Sequence, residues 1–195
     1  MPLAAAVFAL TQQAPDPGRA ASAAAGASAA RVRIDAACKR RDARAHAWEP
    51  RRFARIFAAA SSQVPWRVAD SQTLARIERG PDIYSELATV WSDGEGVATV
   101  AIAVRSLDYR AQTSYCFRPS GTLARVDETS SGTTNSDRER RYLDENGAIV
   151  GSESTLAPLF PRAQFTLSPD VSPAMPDLYR TVGALPFFSL LAAPP

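Results

Sequence analysis

Phe117-Arg118-Pro119-Ser120-Gly121-Thr122-Leu123 and Leu143-Asp144-Glu145-Asn146-Gly147-Ala148-Ile149 align without a gap, 26 residues apart. Each sets an apolar residue four positions before a glycine and another two after it. A strand reversal explains the pattern. Pro119 or Glu145 opens a type I turn, and the glycine accepts the positive φ that closes it. The flanking residues alternate as strands do. Val100, Ile102 and Val104 interleave with Ala101, Ala103 and Arg105, a half-buried strand with small residues on its second face. Ile83, Leu87 and Trp91 share one parity of a preceding strand, joined to it through Ser92-Asp93-Gly94-Glu95-Gly96. Tyr115 and Phe117 share a face, so Cys116 between them points to the other. Ser130 to Ser136 makes a polar connection. Residues 82–155 are therefore predicted as an antiparallel meander of roughly six strands.

Upstream the apolar period turns helical. Ile34, Cys38, Ala45 and Trp48 recur at near-helical spacing with arginines between them. Pro50 suits the first position of a second helix, striped by Phe53, Ile56, Phe57 and Ala60 and ended by Pro65. Ser71 is expected to cap a third helix that ends at Gly80, with Leu74 and Ile77 buried. Residues 31–80 thus read as a helical layer on the sheet. Downstream, eight of the 15 prolines fall in residues 156–195, which argues against central strands there. Phe160, Phe165, Leu185, Phe187 and Phe188 make the same stretch too apolar for a loose tail. A Pro-rich segment over 156–191 is predicted to wrap and close one α+β domain spanning 31–191, leaving 192–195 as a tail.

The beginning of the sequence has a different character. Leu3 to Leu10 is an apolar octet, and residues 1–14 read as an export signal with a shortened front, since nothing cationic precedes Arg19. Residues 15–30, rich in Ala, Pro, Gly and Ser, read as a flexible tether. No run of 18 apolar residues occurs, so no spanning helix is expected. The expected location is periplasmic or secreted.

Charge and composition narrow the chemistry. The 195 residues carry 22 basic and 20 acidic side chains, one histidine and two cysteines, for a net charge of +2. That excludes zinc ribbons, fingers and disulfide-dense miniproteins, and no cofactor motif is present. Arg40, Arg41, Arg44, Arg51 and Arg52 form a candidate anion-binding cluster. Asp35, Asp42 and Glu49 are interleaved with it and no nucleic-acid motif accompanies it, so a nucleic-acid module is the second alternative only. His46, the sole histidine, has Glu49 one helical turn on, which is the candidate pair if the chain is a small hydrolase. Neither a nucleophile elbow nor a metal-ligand spacing supports that alternative. Cys38 and Cys116 are the candidate disulfide. An oxidising compartment favours their pairing, whereas strand parity opposes it if the Tyr115 and Phe117 rings face the helices. The reading that fits best is a non-catalytic module of a bacterial-type envelope, binding an apolar ligand or an envelope protein, with no transmembrane span.

Overall fold

Both hairpins form as their sequences require. The Arg118 and Asp144 amides donate to the Thr122 and Ala148 carbonyls at 2.8 and 2.9 Å, and Gly121 and Gly147 take φ of 79° and 80°. The computed structural model describes residues 17–57, 64–79, 84–106, 109–132, 135–158 and 178–193. Helix α1 (Pro17–Ala45) is followed by strands β1 (Arg51–Phe57) and β2 (Arg67–Val68), and then by helix α2 (Ser71–Arg79). Six longer strands come next: β3 (Tyr84–Asp93), β4 (Gly96–Arg105), β5 (Arg110–Phe117), β6 (Leu123–Ser131), β7 (Asn135–Leu143) and β8 (Ile149–Pro158). A 3-10 turn (Val182–Ala184) and a short helix α3 (Phe188–Ala192) complete the described chain.

The sheet has eight strands in the order β2-β1-β3-β4-β5-β6-β7-β8, and every pairing is antiparallel. The six-stranded meander expected from the sequence is β3 to β8. The two added strands come from the region expected to be helical. Arg51–Phe57 pairs with β3 along its whole length, and its Phe53 and Ala54 also meet Val68 and Arg67 of β2. A heptapeptide with two arginines first and phenylalanines at positions 53 and 57 satisfies either period. Hydrogen bonds to two neighbours decide for strand.

Two further expectations change at the helices. α1 begins at Pro17, inside the segment read as a tether, because alanine has the highest helix propensity of any residue. α2 is capped by Asp70 rather than Ser71: its Oδ1 accepts the Thr73 amide at 2.7 Å. The expected signal, residues 1–14, and residues 159–177 of the expected closure lie outside the described residues. α3 runs into the expected tail at Ala192.

The strands' alternation divides the sheet into two unlike faces. One carries Phe53, Ala88, Val90, Val100, Ile102, Tyr115, Phe117, Leu123, Val126 and Leu143, the main apolar core. The sequence suggests that helices cover this face. Instead the C-terminal segment closes it. Leu185 and Phe187 are buried there, with Leu178, Tyr179, Val182, Leu190 and Leu191 packed around them. Phe187 stacks on Phe53 at 5.1 Å and meets Trp66 edge-on at the same separation. Arg51 fastens the end of the segment by donating to the Leu190 and Leu191 carbonyls at 2.6 and 2.7 Å. α1 lies on the opposite face, over Thr99, Cys116 and Arg125. Phe187→Ala should therefore lower the unfolding free energy by about 3–5 kcal/mol, since it removes a fully buried ring between two others. Urea denaturation measures this, and a loss below about 1 kcal/mol, the range of surface changes, would place the segment off the core.

Candidate functional site

α1 offers little carbon to its face of the sheet. The apolar cluster there consists of Cys38, Cys116 and Ala124, with Ile34 against it. Covalent and ionic ties take over the anchoring. Cys38 and Cys116 form a disulfide with Cα atoms 5.9 Å apart. The geometry that opposed pairing in the sequence is resolved by the closure just described. The Tyr115 and Phe117 rings face the C-terminal segment, so the Cys116 thiol faces the helix. The bridge spans 78 residues of chain, a loop for which the chain-entropy model gives about 4–5 kcal/mol.

Arg41 is the second tie. Its Nε and Nη2 donate to Asp93 at 3.0 and 2.8 Å, and its Nη1 donates to the Phe117 carbonyl at 2.6 Å. The two side chains are only 6% and 3% exposed, so neither charge has water as an alternative partner. Arg44 adds bonds to Asp93 and Glu95 at 3.1 and 2.9 Å. The Arg41 bonds hold the Asp93 carboxyl well below the usual carboxylate range, against the opposing effect of its burial. Further along the helix, Asp35 accepts from Arg125 at 2.8 Å. Asp127 sits between Arg125 and Arg140, bonded to both.

The proposed anion-binding cluster is thereby dispersed. Arg41 and Arg44 are neutralised within the fold, and Arg51 holds the C-terminal segment on β1. Arg40 and Arg52 are exposed on separate elements, α1 and β1. His46 and Glu49 are not brought together either. The imidazole stacks on Trp91 at 4.7 Å, and its Nδ1 lies 2.9 Å from the Asp42 carbonyl and 3.3 Å from the Asp42 carboxylate. Both the ring and its neighbour Asp42 are about half exposed, at 49%. Among the described residues no group of three or more His, Cys, Asp or Glu side chains is placed to hold a metal ion.

What the structure does build is a groove. α1 crosses only part of its face of the sheet, and the rest carries small side chains: Ser85, Ala101, Ala103, Ser114. Two hollows result. One, about 380 Å³, opens beside α1 between Asp42, His46, Trp91, Ser114 and Asp127. The other, about 700 Å³, lies between α2 and the far ends of β3 to β8, over Ile77, Leu87 and Ala103, with Arg105, Arg110 and Arg138 on its walls. Gln112, Thr129 and Arg138 line both, so the two adjoin. The larger has a mostly apolar surface and falls within the size range of small-molecule sites. None of its residues stands out as a motif. The signal available in the sequence was the run of alanines alternating with Val100, Ile102 and Val104, which marks a sheet face kept low. Comparison with protein families, curated proteins and solved structures gives no match for this chain.

The Arg41–Asp93 pair gives a pH prediction. A carboxyl whose folded-state pKa is depressed contributes stability that is fully present above its unfolded value, near 3.8, and is lost as pH falls through the lower folded value. Arg41→Met should cost about 3 kcal/mol at pH 7, because it leaves a buried carboxylate with Arg44 as its remaining cation. The gap between the two proteins should narrow as pH falls below about 4. Denaturation curves at pH 7 and pH 3 read both, and a gap that stays constant or widens in acid would contradict the assignment.

Proposed function

We propose that this chain is a non-catalytic binding module that works in the oxidising envelope of a bacterial-type cell, and that its site is the groove beside α2. The observation that carries the reading is the part of the helix-side sheet face that α1 leaves uncovered. Strands β3 and β4 expose Leu87 and Ala103 there as a floor, and α2 borders it with Ile77 without filling it. Surfaces of this kind on a rigid sheet suit an apolar ligand held by shape, with a few polar groups to orient it. Pairing of the chain's only two cysteines supports the compartment, because such bridges persist where thiols are not kept reduced.

The alternatives have less geometry behind them. A hydrolase built on His46 needs an orienting carboxylate and a reacting group, yet Glu49 is not against the ring and the histidine stands half in solvent. A nucleic-acid module needs its arginines free, and two of the five are consumed by Asp93 and Glu95.

Ala103 stands opposite Leu87 and Gln112 in the middle of the groove floor, which makes it the position to test. The neutral fluorophore N-phenyl-1-naphthylamine should bind with one-site saturation and a blue-shifted emission. Ala103→Trp, which fills the groove from its floor, should abolish that signal and leave the unfolding transition cooperative. No saturable binding to the wild-type protein, or equal binding to the variant, would remove the groove as the site.

A further inference from the structure

The groove walls carry more positive charge than the fold itself uses. Arg105 and Arg110 stand directly opposite one another across β4 and β5 and both line the groove. Like charges in that relation repel and destabilise the pairing. Arg105 relieves part of its demand by donating to the Ile77 carbonyl at 3.1 Å. Among the described residues, the Arg110 and Arg138 guanidiniums make no ion pair or side-chain hydrogen bond. Arg138 sits opposite Thr129 and Thr155, neither of which is acidic.

The described acids nearby do not offset these cations. Among the described residues, Glu78 on α2 is the one carboxylate on the helix side of the larger hollow. Asp137 also borders it, but one residue from Arg138 on β7 its side chain takes the other face of the sheet. In the adjoining hollow Asp42 accepts from Thr99 and neighbours His46, and Asp127 is taken by Arg125 and Arg140. Among the described residues, a wall of three guanidiniums above an apolar floor thus outnumbers the carboxylates that face it. Guanidinium groups favour planar anions that accept two hydrogen bonds at once.

We infer that the groove takes a free single-chain amphiphile ending in a carboxylate, a fatty-acid-like molecule. Its hydrocarbon lies on Leu87, Ala103 and Ile77, and its head is held by Arg110 with Arg105 and Arg138. The inference rests on the binding reading above and adds the ligand's charge to it. An anion at this place also relieves the repulsion between the opposed Arg105 and Arg110, so binding and sheet pairing reinforce one another.

The test compares dodecanoate with 1-dodecanol, both below micelle-forming concentration, by calorimetry on the full chain. Dodecanoate should bind at least about tenfold more tightly than dodecanol, as expected for charge-assisted bonds. Arg110→Gln should remove most of that preference while leaving dodecanol binding unchanged. Its thermal unfolding without ligand should be unchanged or raised, since a repelling pair is lost. Equal binding of the two probes, or a preference that survives Arg110→Gln and Arg138→Gln together, would overturn the inference and leave the groove reading intact. Naphthylamine binding with neither dodecyl probe bound would do the same, whereas no binding of any of the three would remove both. Binding to phosphatidylglycerol vesicles with no binding of dodecanoate would also overturn it, because the anion would then be a lipid surface.

Discussion

Strand alternation at three consecutive residues, Tyr115, Cys116 and Phe117, governs how this molecule is assembled. The two rings must share a face, and the thiol between them must take the other. With the rings directed into the main core, the disulfide to Cys38 can form only if α1 lies on the opposite side. A bulge follows at once between Cys116 and Phe117, where β6 supplies an extra residue, so Ala124 joins the two cysteines while Leu123 stays in the core. One parity choice therefore separates the main core face, closed by the C-terminal segment, from a second face that the helix crosses only in part.

The two faces are stabilised by different physics. On the core face, rings from β1, β5 and the C-terminal segment stack and interlock, and hydrophobic burial dominates. On the helix face there is too little carbon for that, and a bridge with several ion pairs holds α1 instead. Buried pairs such as Arg41 with Asp93 roughly balance desolvation against attraction, so they fix the helix's position more than they deepen the energy minimum. A helix anchored this way need not cover its face completely. The groove is the part it leaves open.

The sequence made some of this legible. The hairpins at Gly121 and Gly147 were readable because a local backbone requirement, positive φ after a type I turn, demands a particular residue. The earlier strands of the meander followed from period-two alternation, as at Val100, Ile102 and Val104. Ser130 to Ser136, which reads as a polar connection, lacks apolar alternation yet supplies the end of β6 at Ser131 and the start of β7 at Asn135. Arg51–Phe57 reads locally as helix because Pro50 and the spacing of Phe53 and Phe57 are local cues, while the hydrogen bonds from β2 and β3 that make it a strand come from elsewhere in the chain. The choice of face for the helices was equally non-local. Nothing in residues 31–45 states which side of a distant sheet they meet. The candidate site was the least legible part: Leu87, Ala103, Arg110 and Arg138 lie on four different strands, and each alone looks like ordinary strand filler.

Everything said of the groove depends on α1 lying where the bridge puts it, across the face that Cys116 shares with Thr99 and Arg125. The direct measurement is mass-spectrometric peptide mapping of the native, unreduced protein, with thiols alkylated during unfolding. The account predicts a single cross-linked species joining the peptides that contain Cys38 and Cys116, in a monomer with no alkylated cysteine. Two alkylated cysteines per chain, or a cross-link only between chains, would contradict it and would release α1 from that face of the sheet.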